Sequence, residues 1–316
     1  MCASSMKAEP KSQSTAGALA ATGAFLIWGL SPVYWKLLDD IPALQITAHR
    51  IVWSALLLIL LVIVSNRWGV FLATLRNRQY RRVLIATALL LNTNWLAFIW
   101  AVNSGFVRQA SLGYYINPLV NVVLGMLFLH ERLSRPQAAS VLLAAAAVAG
   151  LTLLGGEFPA ISLLLAGSFG SYGLLRKKAP IDPTVGLAIE TLVLLIPALA
   201  YLGYCMANGT ADPARIDATV IASGVITTTP LLLFILGTKR LRLSTVGLMQ
   251  YIAPTCMFLL ALFRYKEPFA KADAIAFVVI WTALAIYSAD SLRQRRNLMR
   301  RYSQAASNPL PEPPAI

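Results

Sequence analysis

Charge is what this sequence has least of. Only 13% of its 316 residues are Asp, Glu, Lys or Arg, about half the roughly 25% usual in soluble domains. A soluble enzyme and a charged, disordered chain are both excluded by that figure. The three cysteines, Cys2, Cys205 and Cys256, show neither metal-ligand spacing nor a pairing pattern. They read as packing residues and exclude a disulfide-stapled secreted module. With His49 and His130 the only histidines, no Ser-His-Asp set and no His/Cys/Asp/Glu metal cluster can be assembled. The phosphate-cradling pattern Gly-x-x-x-x-Gly-Lys-Ser/Thr is also absent, so this chain alone is not expected to hydrolyse ATP. No cofactor and no metal are expected.

What is present is apolar surface. Hydrophobic residues make up 58% of the chain, and mean hydropathy is +0.66. The bilayer is therefore an expected partner. A net charge of +14 would suggest nucleic acid in a soluble domain, but here the basic residues fall in short segments between apolar stretches. That pattern marks the cytoplasmic loops of a multi-pass membrane protein, and nucleic acid is not expected to bind.

A spanning helix needs about 20 mostly apolar residues. Ten segments qualify: 16–38, 44–65, 83–103, 109–129, 136–154, 158–175, 184–206, 216–236, 244–264 and 272–290. The run 16–38 is too long for a cleaved signal peptide and reads as a retained first span. The connections are short apart from 66–82 and 207–215, and the tails 1–15 and 291–316 are polar or Pro-rich and expected to be unstructured. With both ends cytoplasmic, most Lys and Arg fall on the inner side, including Arg176, Lys177 and Lys178. Only Lys36, Arg108, Arg215, Arg264, Lys266 and Lys271 fall outside, and Arg50 lies within a span. Positive-inside insertion predicts this asymmetry.

Residues 85–150 and 221–286 align without gaps at an offset of 136. Tyr115-Ile116-Asn117-Pro118 falls on Tyr251-Ile252-Ala253-Pro254, and Glu131 falls on Glu267, each 13 residues after its proline. Phe25-x-x-Trp28-Gly29 matches Phe169-x-x-Tyr172-Gly173 at an offset of 144. A repeat of five spans is odd, so the second copy enters from the opposite side. The expected fold is an all-α membrane protein of ten transmembrane helices in two inverted five-helix repeats, 16–154 and 158–290. Such repeats suit alternating access around a central site, although duplication could also serve only to build a stable bundle.

Several runs then resemble a known family: Phe25-Leu26-Ile27-Trp28-Gly29-Leu30-Ser31-Pro32, Thr47-Ala48-His49-Arg50, Asn94-Trp95 with Phe98 to Asn103, Ala110 to Asn121, Tyr172 to Lys178, and Arg240 to Thr245. They are similar to the RarD subgroup, the chloramphenicol-sensitive proteins, of the EamA family in the drug/metabolite transporter superfamily. The resemblance covers 16–290. It implies a ten-helix drug/metabolite transporter fold in the bacterial inner membrane, with secondary transport, often efflux, of a small metabolite or drug. It further implies that spans 1–4 and 6–9 line the path and that spans 5 and 10 lie at the periphery.

Without ATP chemistry, energy must come from a gradient, and ionisable groups within spans become the first candidates because each is costly in hydrocarbon. Arg50, beside His49, and Glu190 each lie roughly 9 Å from their own membrane boundary, about 12 Å apart along the normal. A direct ion pair is not expected, whereas a shared water-filled cavity is. Arg50 would attract an anionic or polar substrate group, and Glu190 would be a proton-coupling or cation-recognition carboxylate. Equally, both could bind helix-end backbone groups and fix packing.

The mid-span prolines Pro32, Pro118, Pro197, Pro230 and Pro254 free the carbonyls four residues earlier and offer bending points. On that basis Trp28, Tyr114 and Gln250 are expected to cluster with recognition side chains. Tyr34, Asn94, Trp95, Tyr115, Asn117, Tyr172 and Tyr251 complete the candidate substrate cavity. Asn117 and Asn121 share a helix face with Gly113, which should look toward a substrate path or another helix. Trp68 and Tyr80 are expected as interfacial anchors, and Glu131 and Glu267 as local pairing or capping groups. The run Ala144–Ala147 with Ala149 and Gly150 suits an internal helix contact or a homodimer face. Two rivals remain: a membrane enzyme acting on lipids, which would need a catalytic cluster at an interface, and a non-transporting scaffold, which would have a dry centre.

Overall fold

The computed structural model describes residues 10–104, 106–155, 158–210, 216–265 and 271–307. Arg215, Lys266, Glu267 and the prolines after position 308 lie outside them. The described residues are helical throughout, with no strand. The helices are α1 (Pro10–Trp35), α2 (Ala43–Val64), α3 (Trp68–Arg76), α4 (Arg78–Asn103), α5 (Val107–Leu129), α6 (Arg135–Gly155), α7 (Ala160–Lys178), α8 (Pro183–Ala207), α9 (Ala218–Arg240), α10 (Leu243–Met249), α11 (Ile252–Leu259) and α12 (Lys271–Ser307). Among the described residues, seven helices are long and apolar enough to cross a membrane. The other expected spans coincide with α6, α7 and α12.

Three boundaries differ from expectation. The connection 66–82 contains α3, because Trp68, Phe71, Leu72 and Leu75 recur at helical spacing. Phe71 is buried, Leu75 packs on the core, and Trp68 stacks on Phe71 at 5.0 Å. Tyr80 likewise packs against the core. Both tails are partly helical: α1 begins at Pro10, and α12 continues past the expected membrane end to Ser307. Its extension, rich in Arg, Gln and Ala, has good helix formers and no proline before Pro309.

Polar caps set several helix starts. Asp182 accepts from the amides of Thr184 and Val185 at 3.0 and 3.1 Å, with Pro183 in the first turn of α8. Asp217 accepts from Thr219 and Val220 at 2.8 and 3.0 Å at the start of α9. Glu131 does not cap its own following helix. Its carboxylate reaches across the molecule to the first turn of α10, accepting from the amides of Leu243 and Ser244 at 2.6 and 3.0 Å and from the Ser244 hydroxyl at 2.6 Å. His130, in the left-handed region at φ 52, turns the chain after α5 so that this reach is possible.

Packing follows the exchange of halves that an inverted repeat requires. Helix α1 packs on α9, and its equivalent α7 packs on α4; α5 packs on α7, and its equivalent α11 packs on α1. The pairs α2–α8, α5–α10 and α6–α12 each join a helix to its own counterpart. Close approach makes small residues necessary. A Cβ on Gly224 would sit 2.6 Å from the Trp53 carbonyl carbon where α9 crosses α2. The alanine run is used inside the molecule: Ala144 is buried and Ala147 packed in the α6–α12 contact with Ile280, Ala283 and Tyr287.

The prolines act less uniformly than expected. Pro32, Pro118, Pro197 and Pro230 lie inside continuous helices. The Trp28 carbonyl that Pro32 frees is taken up by the Ser31 hydroxyl at 2.8 Å. At Pro254 the ninth span breaks, between α10 and α11 at Gln250–Tyr251.

Candidate functional site

Two charged centres lie in the bundle, and they are differently built. The first is Arg50, on α2. Its Nε donates to the Thr227 hydroxyl of α9 at 2.8 Å, and its guanidinium lies over the rings of Trp35 and Trp95 at 4.7 and 4.9 Å. Cation–π contacts of this kind suit the weakly hydrated guanidinium better than an ammonium. The phenols of Tyr34 and Tyr114 lie within electrostatic reach. Tyr34 donates to the Thr219 carbonyl, and Tyr114 packs edge-on against Phe98. No carboxylate among the described residues pairs with Arg50. Tyr34, Trp35, Arg50 and Trp95 are half-buried and Tyr114 is exposed, so this centre reaches the surface of the bundle. His49, its neighbour in sequence, is buried and makes no hydrogen bond among the described residues.

The second centre is Glu190, on α8, and nothing of it reaches solvent. Its Oε1 accepts from the Thr87 hydroxyl of α4 at 2.5 Å and lies 3.4 Å from Nη1 of Arg176; its Oε2 accepts from the Tyr172 hydroxyl at 3.4 Å. Tyr172 and Arg176 are four residues apart on α7 and so share a face. Arg176, Glu190, Tyr172 and Thr87 are each 0% exposed. Arg176 also donates to the Pro183 carbonyl at 3.2 Å, while its Nε and Nη1 have no hydrogen-bond acceptor among the described residues. Its chamber exists because residue 186 is glycine: a Cβ there would lie 2.1 Å from Nη1. Expected in an inner loop, Arg176 is thus a core residue. It faces Glu190 because α7 runs three residues past the predicted end of its span.

Between the centres, the expected hydrated chamber is almost filled. A cavity of about 10 Å³, room for about one water, is lined on one side by Trp95 and Thr227 and on the other by Glu190, with Leu91, Leu194 and Leu231 around it. Beside it the two Phe-x-x-aromatic motifs of the repeat meet. Trp28 packs on Phe169 at 5.7 Å and on Phe234 at 5.7 Å, and Phe169 lies 5.0 Å from Phe234. Large rings from α1, α7 and α9 fill the centre that the charge pattern led one to expect wet. Trp28 therefore belongs to the core. Tyr114 sits beside Arg50 instead, and Gln250 accepts from Asn121 at 2.6 Å, so the three carbonyl-freeing positions do not cluster.

The remaining candidates tie helices together. Asn94 of α4 donates to the Leu165 carbonyl and the Ser168 hydroxyl of α7 at 2.8 and 3.1 Å. Tyr251 donates to the Tyr115 carbonyl at 3.1 Å. Gly113 and Asn121 face α7, and a Cβ on Gly247 of α10 would meet the Asn121 Cβ at 2.8 Å, so this face looks onto helices. Asn117 keeps a buried Oδ1 without a hydrogen-bond partner among the described residues. Trp35, Thr87, Arg176 and Thr227 are the site residues that sequence reasoning missed. A polar Thr in an apolar run was the available signal for two of them.

The side holding the starts of α8 and α10 is closed by further contacts. Arg67 pairs with Asp182 at 2.5 Å, Ser134 donates to Asp290 at 2.6 Å, and Lys177 donates to the Thr238 carbonyl at 2.8 Å and to that of Leu241. Lys177 lies beyond its span, and burial pulls its ammonium below the usual lysine range.

Residues 15–153 and 158–289 each match the EamA-like transporter family. The chain is 45% identical over 281 residues to an uncharacterized transporter of Vibrio cholerae, covering 88% of this chain and 93% of that one. It is 42% identical over 288 residues to protein RarD of Escherichia coli K12 (90% and 97%), and 39% identical over 312 residues to protein RarD of Streptomyces exfoliatus (98% of each). A crystal structure with 20% identity superposes with a TM-score of 0.68 over 87% of this chain and 98% of that chain, which shows a shared fold. With a helical bundle of membrane-spanning length and a family match in both halves, this multi-pass membrane protein belongs to the EamA-like transporter family.

Proposed function

We propose that this protein is a secondary carrier that moves a small metabolite or drug-like solute out across the bacterial inner membrane by alternating access. One observation carries the reading: Arg50 holds a charge inside an apolar bundle with no carboxylate partner among the described residues, in contact with helices of both halves and reaching the surface of the bundle. Packing alone would be better served by an apolar side chain, since an intramembrane cation is costly unless it meets water or a ligand. With both termini cytoplasmic, the Arg50 side faces outward, and the buried Glu190–Arg176 pair lies on the inner, closed side. The two repeats, 16–154 and 158–290, with their first helices α1 and α7 exchanged between them, are the bodies that rock past one another, with the break at Gln250–Tyr251 as one bending point. Glu190 couples the cycle to protons: on taking up a proton it releases Arg176 and loosens the inner closure.

The first test compares solutes accumulated by cells with and without the gene, followed by flux of the best hit into proteoliposomes under an imposed pH gradient. Uptake driven by the gradient and lost in Arg50→Gln is the expected result. If Glu190→Gln leaves both flux and its pH dependence unchanged, the coupling role is wrong. The near-filled centre favours a second reading, a non-transporting scaffold; that reading requires identical solute profiles with and without the gene. The lipid-enzyme rival has no catalytic cluster in the sequence to support it.

A further inference from the structure

Building on the carrier reading, we infer that Arg50 selects a small monocarboxylate with an apolar body. The Arg50 Nε is occupied by Thr227 and its π-system faces Trp35 and Trp95, while neither Nη makes a hydrogen bond among the described residues. What is left to a ligand is a planar fork of N–H donors. That fork matches the two oxygens of a carboxylate, each taking one N–H, in a geometry an ammonium cannot offer.

Charge narrows the class. Among the described residues Arg50 is the one cation whose contacts converge here; the phenols of Tyr34 and Tyr114 are its electrostatic neighbours, and the Asp217 carboxylate lies beyond Tyr34. One guanidinium balances one negative charge; a phosphate dianion would remain half-compensated in a medium of low dielectric. The Tyr34 hydroxyl is already committed to the Thr219 carbonyl, whereas the Tyr114 hydroxyl has no hydrogen-bond partner among the described residues and is available as a further donor. The walls select the rest of the molecule. The rings of Trp35 and Trp95 flank the guanidinium and Tyr114 packs on Phe98 beside it, whereas the neighbouring cavity behind Trp95 and Thr227, about 10 Å³, holds no more than a water, so the body of the ligand lies against these rings. An apolar body is favoured against them, and a second negative charge would find no further cation among the described residues.

Full-length protein purified in detergent tests this by ligand-induced thermal stabilisation, with phenylacetate, phenylacetamide, phenylphosphonate and acetate as probes. Phenylacetate is expected to bind at least tenfold more tightly than each of the others. Arg50→Lys should weaken it about tenfold by losing the fork, and Arg50→Gln should abolish it. Equal binding of the amide, tighter binding of the phosphonate, or undiminished binding by Arg50→Gln overturns the assignment, and equal binding of acetate overturns the apolar body. Should Arg50→Gln fail to fold, the four-probe comparison on the native chain decides alone, with Tyr114→Phe expected to lower phenylacetate affinity. Flux of labelled phenylacetate in proteoliposomes separates the two readings. Binding without flux removes the carrier and leaves the selectivity, whereas flux unaffected by Arg50→Gln removes the selectivity and leaves the carrier.

Discussion

The hydroxyl of Tyr251 donates to the backbone carbonyl of Tyr115, 3.1 Å away, and the two residues occupy equivalent positions of the repeat, 136 residues apart. Equivalent residues can touch only where the axis relating the halves passes between them. The α5–α10 contact is therefore the centre of the pseudo-two-fold, and the neighbouring Asn121–Gln250 bond at 2.6 Å lies in the same seam. Tyr251 is 2% exposed, so its hydroxyl has no water to fall back on. Tyr251→Phe removes one interhelical hydrogen bond. It should lower stability by about 1–2 kcal/mol, read as the melting shift of the purified protein. No shift would mean that the seam is held by packing alone.

The Arg176–Glu190 pair is fully buried on both sides, so removing one partner strands the other. Glu190→Gln should cost roughly 3–5 kcal/mol, because the Arg176 guanidinium keeps its charge in the closed interior while the amide that replaces the carboxylate carries none. Replacing both, as Arg176→Met with Glu190→Leu, should recover most of that loss, because an apolar pair of similar volume needs no compensation. If the double variant melts no higher than Glu190→Gln, the penalty comes from packing and not from a stranded charge.

Hydropathy made the span positions legible, because lipid leaves an apolar run of helical length few alternatives. The doubled Tyr-Ile-x-Pro made the repeat legible for the same local reason. Arg176 was not legible. In sequence it heads the run Arg176-Lys177-Lys178, which reads as a positive loop, and what buries it is a glycine ten residues later and a carboxylate on the next helix. Nor was the dry centre: Trp28 reads as a path-lining aromatic until α1, α7 and α9 bring it onto Phe169 and Phe234. The Arg50 setting was half-legible. Charge within a span pointed to the residue, but Trp35 and Thr227 come from the end of one helix and the middle of another. The short helix α3 carried its own signal, the spacing of Trp68, Phe71, Leu72 and Leu75, and the charged residues around it concealed that signal.

Where α9 crosses α2, the added methyl of Gly224→Ala would fall 2.6–2.8 Å from the Trp53 backbone and Cβ. Neither helix can yield a side-chain tip to relieve this, since two of the three atoms met are main chain. The helices must part, at a cost of about 1–3 kcal/mol. The crossing also holds the Ser54–Gly224 bond at 3.2 Å and lies one turn from Thr227, so ligand binding at Arg50 should weaken along with stability. A melt indistinguishable from the native protein would show that the α2–α9 distance is slack.

Asp182 performs two tasks that substitution can separate. It caps α8 through the amides of Thr184 and Val185, and it pairs with Arg67 of the other half at 2.5 Å. The ion pair is partly in water, with side-chain exposures of 43% for Arg67 and 25% for Asp182, so screening keeps its worth below about 1 kcal/mol. Asp182→Asn keeps a capping oxygen and loses the charge. It should cost no more than Arg67→Gln does, and both losses should shrink as salt is raised. Asp182→Ala removes the cap as well and should cost about 1 kcal/mol more, an increment insensitive to salt. If the Asn and Ala variants melt together, the start of α8 is fixed by Pro183 and tertiary packing and the side-chain cap adds nothing.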